Sequence, residues 1–298
     1  MKEELFQSSH IPVLQKETIK YLDPKPNENF IDCTIGEAGH TAAILERNQP
    51  NGKVIGIDWS PEAIKNCGLK LKNFKERIIL VCDSFVNLEE IIKKQGSLTI
   101  SGILLDLGFS SWHLEKSEKG FSFQKREPMD MRYNPQNQLT AEKILNYWSK
   151  PEIEKILREY GQEQFSEKIS KEICESRILK TIKTTFQLIE IIQKATPFWY
   201  QRKKIHPATR TFQALRIAVN DELNNLEKVL PQILKILKPG GKLAVISFHS
   251  LEDKIVKNFL KKSAYDIKIL TKKPITPTEE EIKINPRSRS AKLRTARR

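Results

Sequence analysis

The run Phe30-Ile31-Asp32-Cys33-Thr34-Ile35-Gly36-Glu37-Ala38-Gly39-His40 is apolar at first and then breaks into small residues. Phe30 to Cys33 read as a short buried strand. Gly36 and Gly39 permit a tight turn, and Thr41-Ala42-Ala43-Ile44-Leu45 begins a helix. Strand, glycine turn and helix in that order form the entry to a nucleotide-binding α/β sheet. A second strand, Lys53-Val54-Ile55-Gly56-Ile57-Asp58, ends in an acid about 20 residues past the turn, where a βαβ unit sets a carboxylate on a ribose hydroxyl pair. The expected ligand therefore carries a ribose.

A pyrophosphate is less well supported, because the glycine spacing of dinucleotide sites is absent. Thr34 stands at the first small position, Gly36 at the second and Ala38-Gly39 at the third. With Asp32 closing the strand, the run is similar to the acid-x-G-x-G-x-G loop of class I S-adenosylmethionine (SAM) methyltransferases. The bland alternative is that Gly36 and Gly39 only shape a surface turn. Titration with SAM and with NAD separates a methyltransferase from an NAD-dependent oxidoreductase.

Further strands follow at Ile78 to Cys82, ending in Asp83-Ser84-Phe85, and at Gly102 to Gly108, which is apolar until Asp106. A carboxylate is costly to bury without partners, so Asp106 is expected to face the ligand cleft. Phe85 either packs on a purine or caps the core. From Phe109 to Met131 regular periodicity is lost, and Trp112, Phe121 and Phe123 are candidates either to stack a base or to pin the loop to the core. Helical signals fill the chain from there to about residue 206, with capping pairs at Ser149/Glu152 and Thr184/Gln187. A parallel sheet needs no crossover of that size, which implies an inserted all-helical domain. The expected boundaries are a discontinuous core of 1–108 and 207–298, an insert of 109–206, and a basic C-terminal arm at 285–298.

Pro207 to Leu230 reads as one long helix, Lys238-Pro239-Gly240-Gly241 as a turn, and Lys242 to Ser247 as a fifth strand whose end carries Phe248-His249-Ser250. His249 there either starts a helix or faces substrate. Tyr265 to Leu270 reads as a further strand. The tail from Arg287 holds six basic residues and no acids, the composition of a disordered or phosphate-binding arm. Over 298 residues Lys and Arg outnumber Asp and Glu by 51 to 37, a net +14 that favours a polyanionic partner. Cys33, Cys67, Cys82 and Cys174 show no metal-ligand spacing and suit a reduced compartment, with Cys33 and Cys82 expected in the core. No apolar run approaches a membrane span, so a cytoplasmic, soluble protein without membrane contact is expected.

Several blocks together carry a more specific resemblance. These are His10 to Leu14, Thr34 to His40, Gly102 to Ser111, Gly120-Phe121-Ser122-Phe123, Met129 to Arg132, His206 to Arg210, Ser247 to Asp253 and Asn285 to Ala291. In this order they resemble the RsmH (MraW) family nearly end to end. The resemblance implies a class I SAM-dependent methyltransferase fold, Rossmann-like with a mostly parallel seven-stranded sheet. It also implies methylation of the N4 amino group of one cytidine in the decoding region of 16S rRNA, with free rRNA or the small ribosomal subunit as partner. A homodimer is compatible with it.

By motif, the family's SAM positions fall on Ala38, Gly39 and His40, in the loop that also holds Gly36, and on Asp58, Phe85, Asp106 and His113. Two of them depart from the family pattern, Ala38 standing for Gly and His113 for Gln. Asp106 is the expected proton acceptor, with Ser247 or His249 orienting the base and no metal required. The rival reading is a non-catalytic RNA-binding ribosome assembly factor that retains the fold, for which the basic arm alone would suffice.

Overall fold

Alternation of side chains along successive strands builds two apolar layers against one sheet. In the computed structural model, which describes residues 11–96, 98–108, 114 and 117–298, seven strands are ordered β3-β2-β1-β4-β5-β7-β6. They are β1 Asn29–Asp32, β2 Val54–Asp58, β3 Ile78–Cys82, β4 Ile100–Asp106, β5 Leu237–Ser247, β6 Lys268–Ile269 and β7 Lys292–Arg297. The first five pair in parallel, and β7 runs antiparallel between β5 and β6.

Ile31, Cys33, Ile103, Leu105, Leu243 and Val245 face one layer, which is closed by α4 (Leu88–Lys94), α11 (Glu222–Ile236) and α12 (Ser250–Lys262). Phe30, Leu104, Ala244 and Ile246 face the other, under α1 (Gln15–Leu22), α2 (Gly39–Arg47) and α3 (Pro61–Lys70). Leu14, Ile19 and Leu22 of the α1 segment lie over the central strands.

The chain divides into two compact units, Met1–Phe109 with Leu223–Arg298, and Ser110–Glu222. The second has helices and no named strand among its described residues. α5 (Ala141–Tyr147), α6 (Lys150–Glu159), α7 (Ser166–Leu179), α8 (Thr185–Ala195), the single turn α9 (Phe198–Gln201) and α10 (Thr209–Asn220) follow in turn. The two capping boxes form as read, Glu152 accepting from the Ser149 N–H at 2.8 Å and Gln187 from the Thr184 N–H at 3.0 Å. Its core gathers Ile144, Ile153, Leu157, Ile169, Ile173, Leu188, Ile192 and Leu215.

Several expectations need correction. Pro207 to Leu230 is two helices, broken where Asp221 takes a left-handed φ of 50°. Asn220, buried, donates to the Met131 carbonyl at 2.8 Å and accepts from the Tyr133 N–H at 2.9 Å, which anchors the end of α10 within the helical unit. The boundary therefore lies at Glu222 and not at 206, because Phe212, Leu215 and Val219 serve the helical core while Leu226, Val229 and Leu230 serve the sheet.

The basic tail is no free arm: β7 occupies it, pairing Lys242 with Arg297 through Ser247 with Lys292. Two of its cations, Lys292 and Arg294, pair with Asp253. Arg294 Nε lies 2.6 Å from Asp253 Oδ1, and although burial opposes ionisation of Asp253, the Arg294 bonds outweigh it and hold the carboxyl below its ordinary value. The turn at Lys238 to Gly241 is a bulge inside β5, Ile100 pairing with Leu237 and Gly102 with Lys242, and the strand predicted at Tyr265 to Leu270 shortens to two residues. Finally, Cys82 is exposed while Cys33 is buried, because β3 is an edge strand.

Candidate active site

The strand order reverses between β1 and β4, and open α/β sheets bind ligands outside the carboxyl ends of the strands at such a point. The residues that end β1, β2 and β4 are Asp32, Asp58 and Asp106. All three are drawn into one small region by the loop from Cys33 to Gly39. Asp32 Oδ2 accepts from the Thr41 hydroxyl at 2.7 Å and Oδ1 from the Thr34 N–H at 3.2 Å, tying the strand to the first turn of α2. Asp58 accepts from the Gly36 N–H at 3.0 Å and the Ser60 N–H at 2.9 Å. Thr34 Oγ1 in turn accepts from the Asp106 N–H at 2.6 Å, so the loop is stitched to all three strand ends.

These acids sit in an environment that disfavours their charge. Burial pushes Asp32 up to about 6, with the nearby Asp58 adding to it against the Thr41 and Thr34 bonds. Burial also pushes Asp58 up to about 6, opposed by the backbone N–H groups of Ser60, Gly36 and Trp59. Asp106 rises to about 8 through burial, then through the charge of Asp32, and Glu252 contributes further. His40, buried in the first turn of α2, brings Nε2 to 3.6 Å from Asp106 Oδ2. No Lys or Arg among the described residues compensates any of the three. A net basic protein thus concentrates uncompensated carboxylates at its sheet switch point, which suits a ligand that brings its own positive charge.

The loop's small residues have distinct reasons. Gly36 takes φ +50°, where a Cβ would meet only the Thr34 carbonyl oxygen at 3.7 Å, so conformation and not space demands glycine. At Gly39 a Cβ would fall 2.2 Å from Pro12 Cγ, so close packing demands it. Ala38 caps α2 at φ 65° and is 2 % exposed, which explains why a glycine is the natural residue there and shows where the extra methyl goes.

Other candidates are placed differently. Phe85 begins a 3-10 turn after β3 and packs, half-buried, on the sheet core. Ser247 is buried at the end of β5, its hydroxyl donating to the Lys292 carbonyl of β7 at 3.4 Å. His249 caps α12: Nδ1 accepts from the Glu252 N–H at 3.4 Å, Nε2 lies 3.2 Å from Glu252 Oε1, and Glu252 Oε2 accepts from the His249 N–H. β7 thus covers Ser247 and the helix start engages His249 Nδ1, while His249 Nε2 has no hydrogen-bond partner among the described residues. His113 and Trp112 lie outside the described residues. Phe121 is buried and stacked on Tyr133 in the helical unit, and Phe123 stacks on His206 at 4.5 Å.

Sequence reasoning missed the support behind Gly39. Gln15 Nε2 donates to the Gly39 carbonyl at 2.9 Å, Leu14 N–H donates to Glu281 Oε1 at 2.7 Å, and Asn285 Nδ2 donates to the Ile11 carbonyl at 3.0 Å. The amino-terminal strap is thereby clamped between the glycine loop and α13 (Glu279–Ile284). Its only signal was the company of the His10 to Leu14 and Asn285 to Ala291 blocks. Glu281→Ala removes the acceptor of a half-buried N–H and is expected to destabilise the protein by about 1–2 kcal/mol in urea unfolding, whereas Glu281→Gln keeps an acceptor and stays near wild type.

A family model described as the MraW methylase family matches residues 7–298. The chain belongs to the MraW methylase family. Members similar to it include "Ribosomal RNA small subunit methyltransferase H" of Heliobacterium mobile, 45% identical with 97% of this chain and 98% of that protein covered. The protein of the same name from Thermosipho melanesiensis is 46% identical, with 98% and 99% covered. A solved rRNA methylase from Streptococcus thermophilus aligns at 11% identity and a TM-score of 0.44, covering 95% of this chain and 93% of that one. The 3-2-1-4-5-7-6 sheet with an antiparallel β7 is the class I methyltransferase architecture expected for an MraW methylase.

Proposed function

We propose that this chain transfers a methyl group from SAM to the N4 amino group of a cytidine in the decoding region of 16S rRNA. The observation that carries this reading is the cluster of buried Asp32 with partly exposed Asp58 and Asp106, without a Lys or Arg partner among the described residues at the switch point, beside a glycine loop. Such a site favours a cationic, ribose-bearing ligand. Family membership, and relatives named as small-subunit rRNA methyltransferases, support the rRNA substrate.

Asp58 is the acid for the ribose hydroxyls, and Gly36, Ala38, Gly39 and His40 form the wall against which the ligand lies. SAM, when bound, supplies a methyl group already activated by its sulfonium. The exocyclic amine of cytosine is a poor nucleophile, its lone pair being delocalised into the ring, so the chain must hold it in line and take a proton from it. Asp106 is the group for that proton: the N–CH3 bond forms, the S–CH3 bond breaks, and the amine hydrogen passes to the carboxylate. A positive ligand beside Asp106 favours its ionised form, so cofactor binding arms the base.

Attack through a cysteine, as methylation at C5 requires, is disfavoured. Burial holds the Cys33 thiol well above its ordinary value and pushes Cys67 up to about 12; burial and then Asp58 and Asp83 raise Cys82. The non-catalytic reading leaned on a free basic arm, and that segment is β7.

The test is transfer of labelled methyl from SAM to 16S rRNA or to small subunits lacking the modification, with the product nucleoside identified, alongside titration with S-adenosylhomocysteine. N4-methylcytidine is expected. Binding of the nucleoside without transfer to any rRNA would favour the assembly-factor reading, and no binding at all would overturn both.

A further inference from the structure

We propose that the turn from Phe198 to Lys204 in the helical unit is a docking surface for unpaired RNA, its exposed rings stacking on bases and its cations taking phosphates. The proposal rests on the rRNA reading above and adds where on the chain the strand is gripped.

Phe198 and Trp199 are 65 % and 57 % exposed, two large rings side by side that the helical core does not claim. The turn that carries them is held in place all the same, and Trp199 meets Phe165 edge-on with ring centres 5.9 Å apart. Tyr200 between them and the basic run is buried, its hydroxyl donating to Glu163 Oε2 at 2.6 Å, and Phe165 meets it edge-on with ring centres 4.9 Å apart. Gln201 Nε2 donates to the Gln193 and Thr196 carbonyls at 2.8 and 2.9 Å, fixing the turn to the end of α8. A rigidly mounted exposed ring loses little freedom when a base lies on it.

The cations are arranged to match. Arg202 lies 4.1 Å over the Phe198 ring and Lys203 4.8 Å over Trp199. Residues 191–220 contain six Lys and Arg and no acid. Of these, Lys194 pairs with Glu172 and Arg216 with Glu222, whereas Arg202, Lys203 and Lys204 form no ion pair among the described residues. Flat apolar faces beside unneutralised positive charge complement single-stranded nucleic acid, which offers both π-faces and phosphates. A duplex hides its base faces, and a second copy of this chain would bring the same positive charge to the contact.

The test uses the full-length protein and a fluorescently labelled, unstructured RNA oligonucleotide, read by anisotropy. Trp199→Ala and Phe198→Ala are each expected to weaken single-strand binding by about 5- to 100-fold, the effect of losing one stacked base. Replacing Arg202, Lys203 and Lys204 together by Ala is expected to lower the slope of log affinity against log salt by about 0.7 for each phosphate that is no longer neutralised. Duplex of the same sequence should bind the wild type more weakly and should not discriminate between wild type and Trp199→Ala. Circular dichroism and S-adenosylhomocysteine titration should be unchanged in all variants, which separates loss of RNA grip from loss of fold or cofactor site.

Equal affinity of Trp199→Ala and wild type for the single strand overturns the proposal. So does conversion of a dimer to a monomer by Trp199→Ala with RNA affinity intact, which would make the face an interface between copies. If the variants lose RNA binding while the wild type fails to methylate rRNA, the surface stands and the methylation reading falls.

Discussion

Asp106→Asn is expected to lower methyl-transfer turnover about 10²- to 10⁴-fold while making the unliganded protein more stable at neutral and mildly alkaline pH. Loss of rate follows from removing the proton acceptor at the end of β4. The gain in stability follows from linkage. Asp106 in the fold keeps its proton up to about 8, against an ordinary value of 3.8. Between those values the unfolded chain has released the proton and the folded chain has not. The folded state therefore binds more protons, and wild-type stability falls as pH rises through that window, by at most about 1.4 kcal/mol per unit from this group.

Asparagine does not titrate, so the stability gap between variant and wild type should widen from pH 4 to 8 and then level. Urea unfolding across that range reads the gap directly, and a flat one would show that Asp106 is not held protonated. The same value shapes the rate. Wild-type kcat/KM for SAM should climb nearly tenfold per unit below about 8, because only the ionised form accepts a proton, and that limb should vanish in the Asn variant.

Gly39→Ala is the second large effect, and it acts through packing. The new methyl would sit 2.2 Å from Pro12 Cγ and 3.2 Å from Cδ. Pro12 cannot swing aside as a flexible side chain would, since its ring is part of the backbone and the strap is tied at Ile11, Leu14 and Gln15. Either the strap or the glycine loop must move. A destabilisation of about 1–3 kcal/mol is expected, together with at least a tenfold loss of S-adenosylhomocysteine affinity by calorimetry. Pro12→Ala in the same chain should restore much of both, because it clears the ring that the methyl strikes. If Gly39→Ala binds and unfolds like wild type, the strap does not support the loop. Gly36→Ala makes the useful contrast: space is open there, so only the left-handed backbone is penalised, at about 1–2 kcal/mol, and Pro12→Ala should not help.

Much of the site was legible because local chemistry repeats a simple pattern. Asp32, Asp58 and Asp106 each end an apolar run, and a carboxylate in that position has to meet something at the strand tip. The capping pairs Ser149/Glu152 and Thr184/Gln187 were equally plain, since a cap needs only residues three apart. What failed were places where one local signal hid another. The tail's cations masked a strand at Lys292 to Arg297 in which Leu293 to Ala296 are all buried, Arg294 among them, so a strand looked like an arm. Continuous helical periodicity from Pro207 to Leu230 hid the Asn220-Asp221 break, because both halves are amphipathic and only their cores differ. Cys82 looked buried because its run is apolar, while its exposure follows from β3 standing at the edge of the sheet.

The amino-acid sequence by itself determined the strand-turn-helix entry, the acids at the strand tips and the presence of a helical insert, because each arises from contacts between residues close in the chain. Only the tertiary structure decided that Ser247 is covered by β7 and that Pro12 and Glu281 brace the loop at Gly39. Glu281 meets Leu14 across 267 residues and Lys292 meets Ser247 across 45, and nothing in a linear spacing specifies which partner a hydroxyl, a backbone N–H or a glycine will find there.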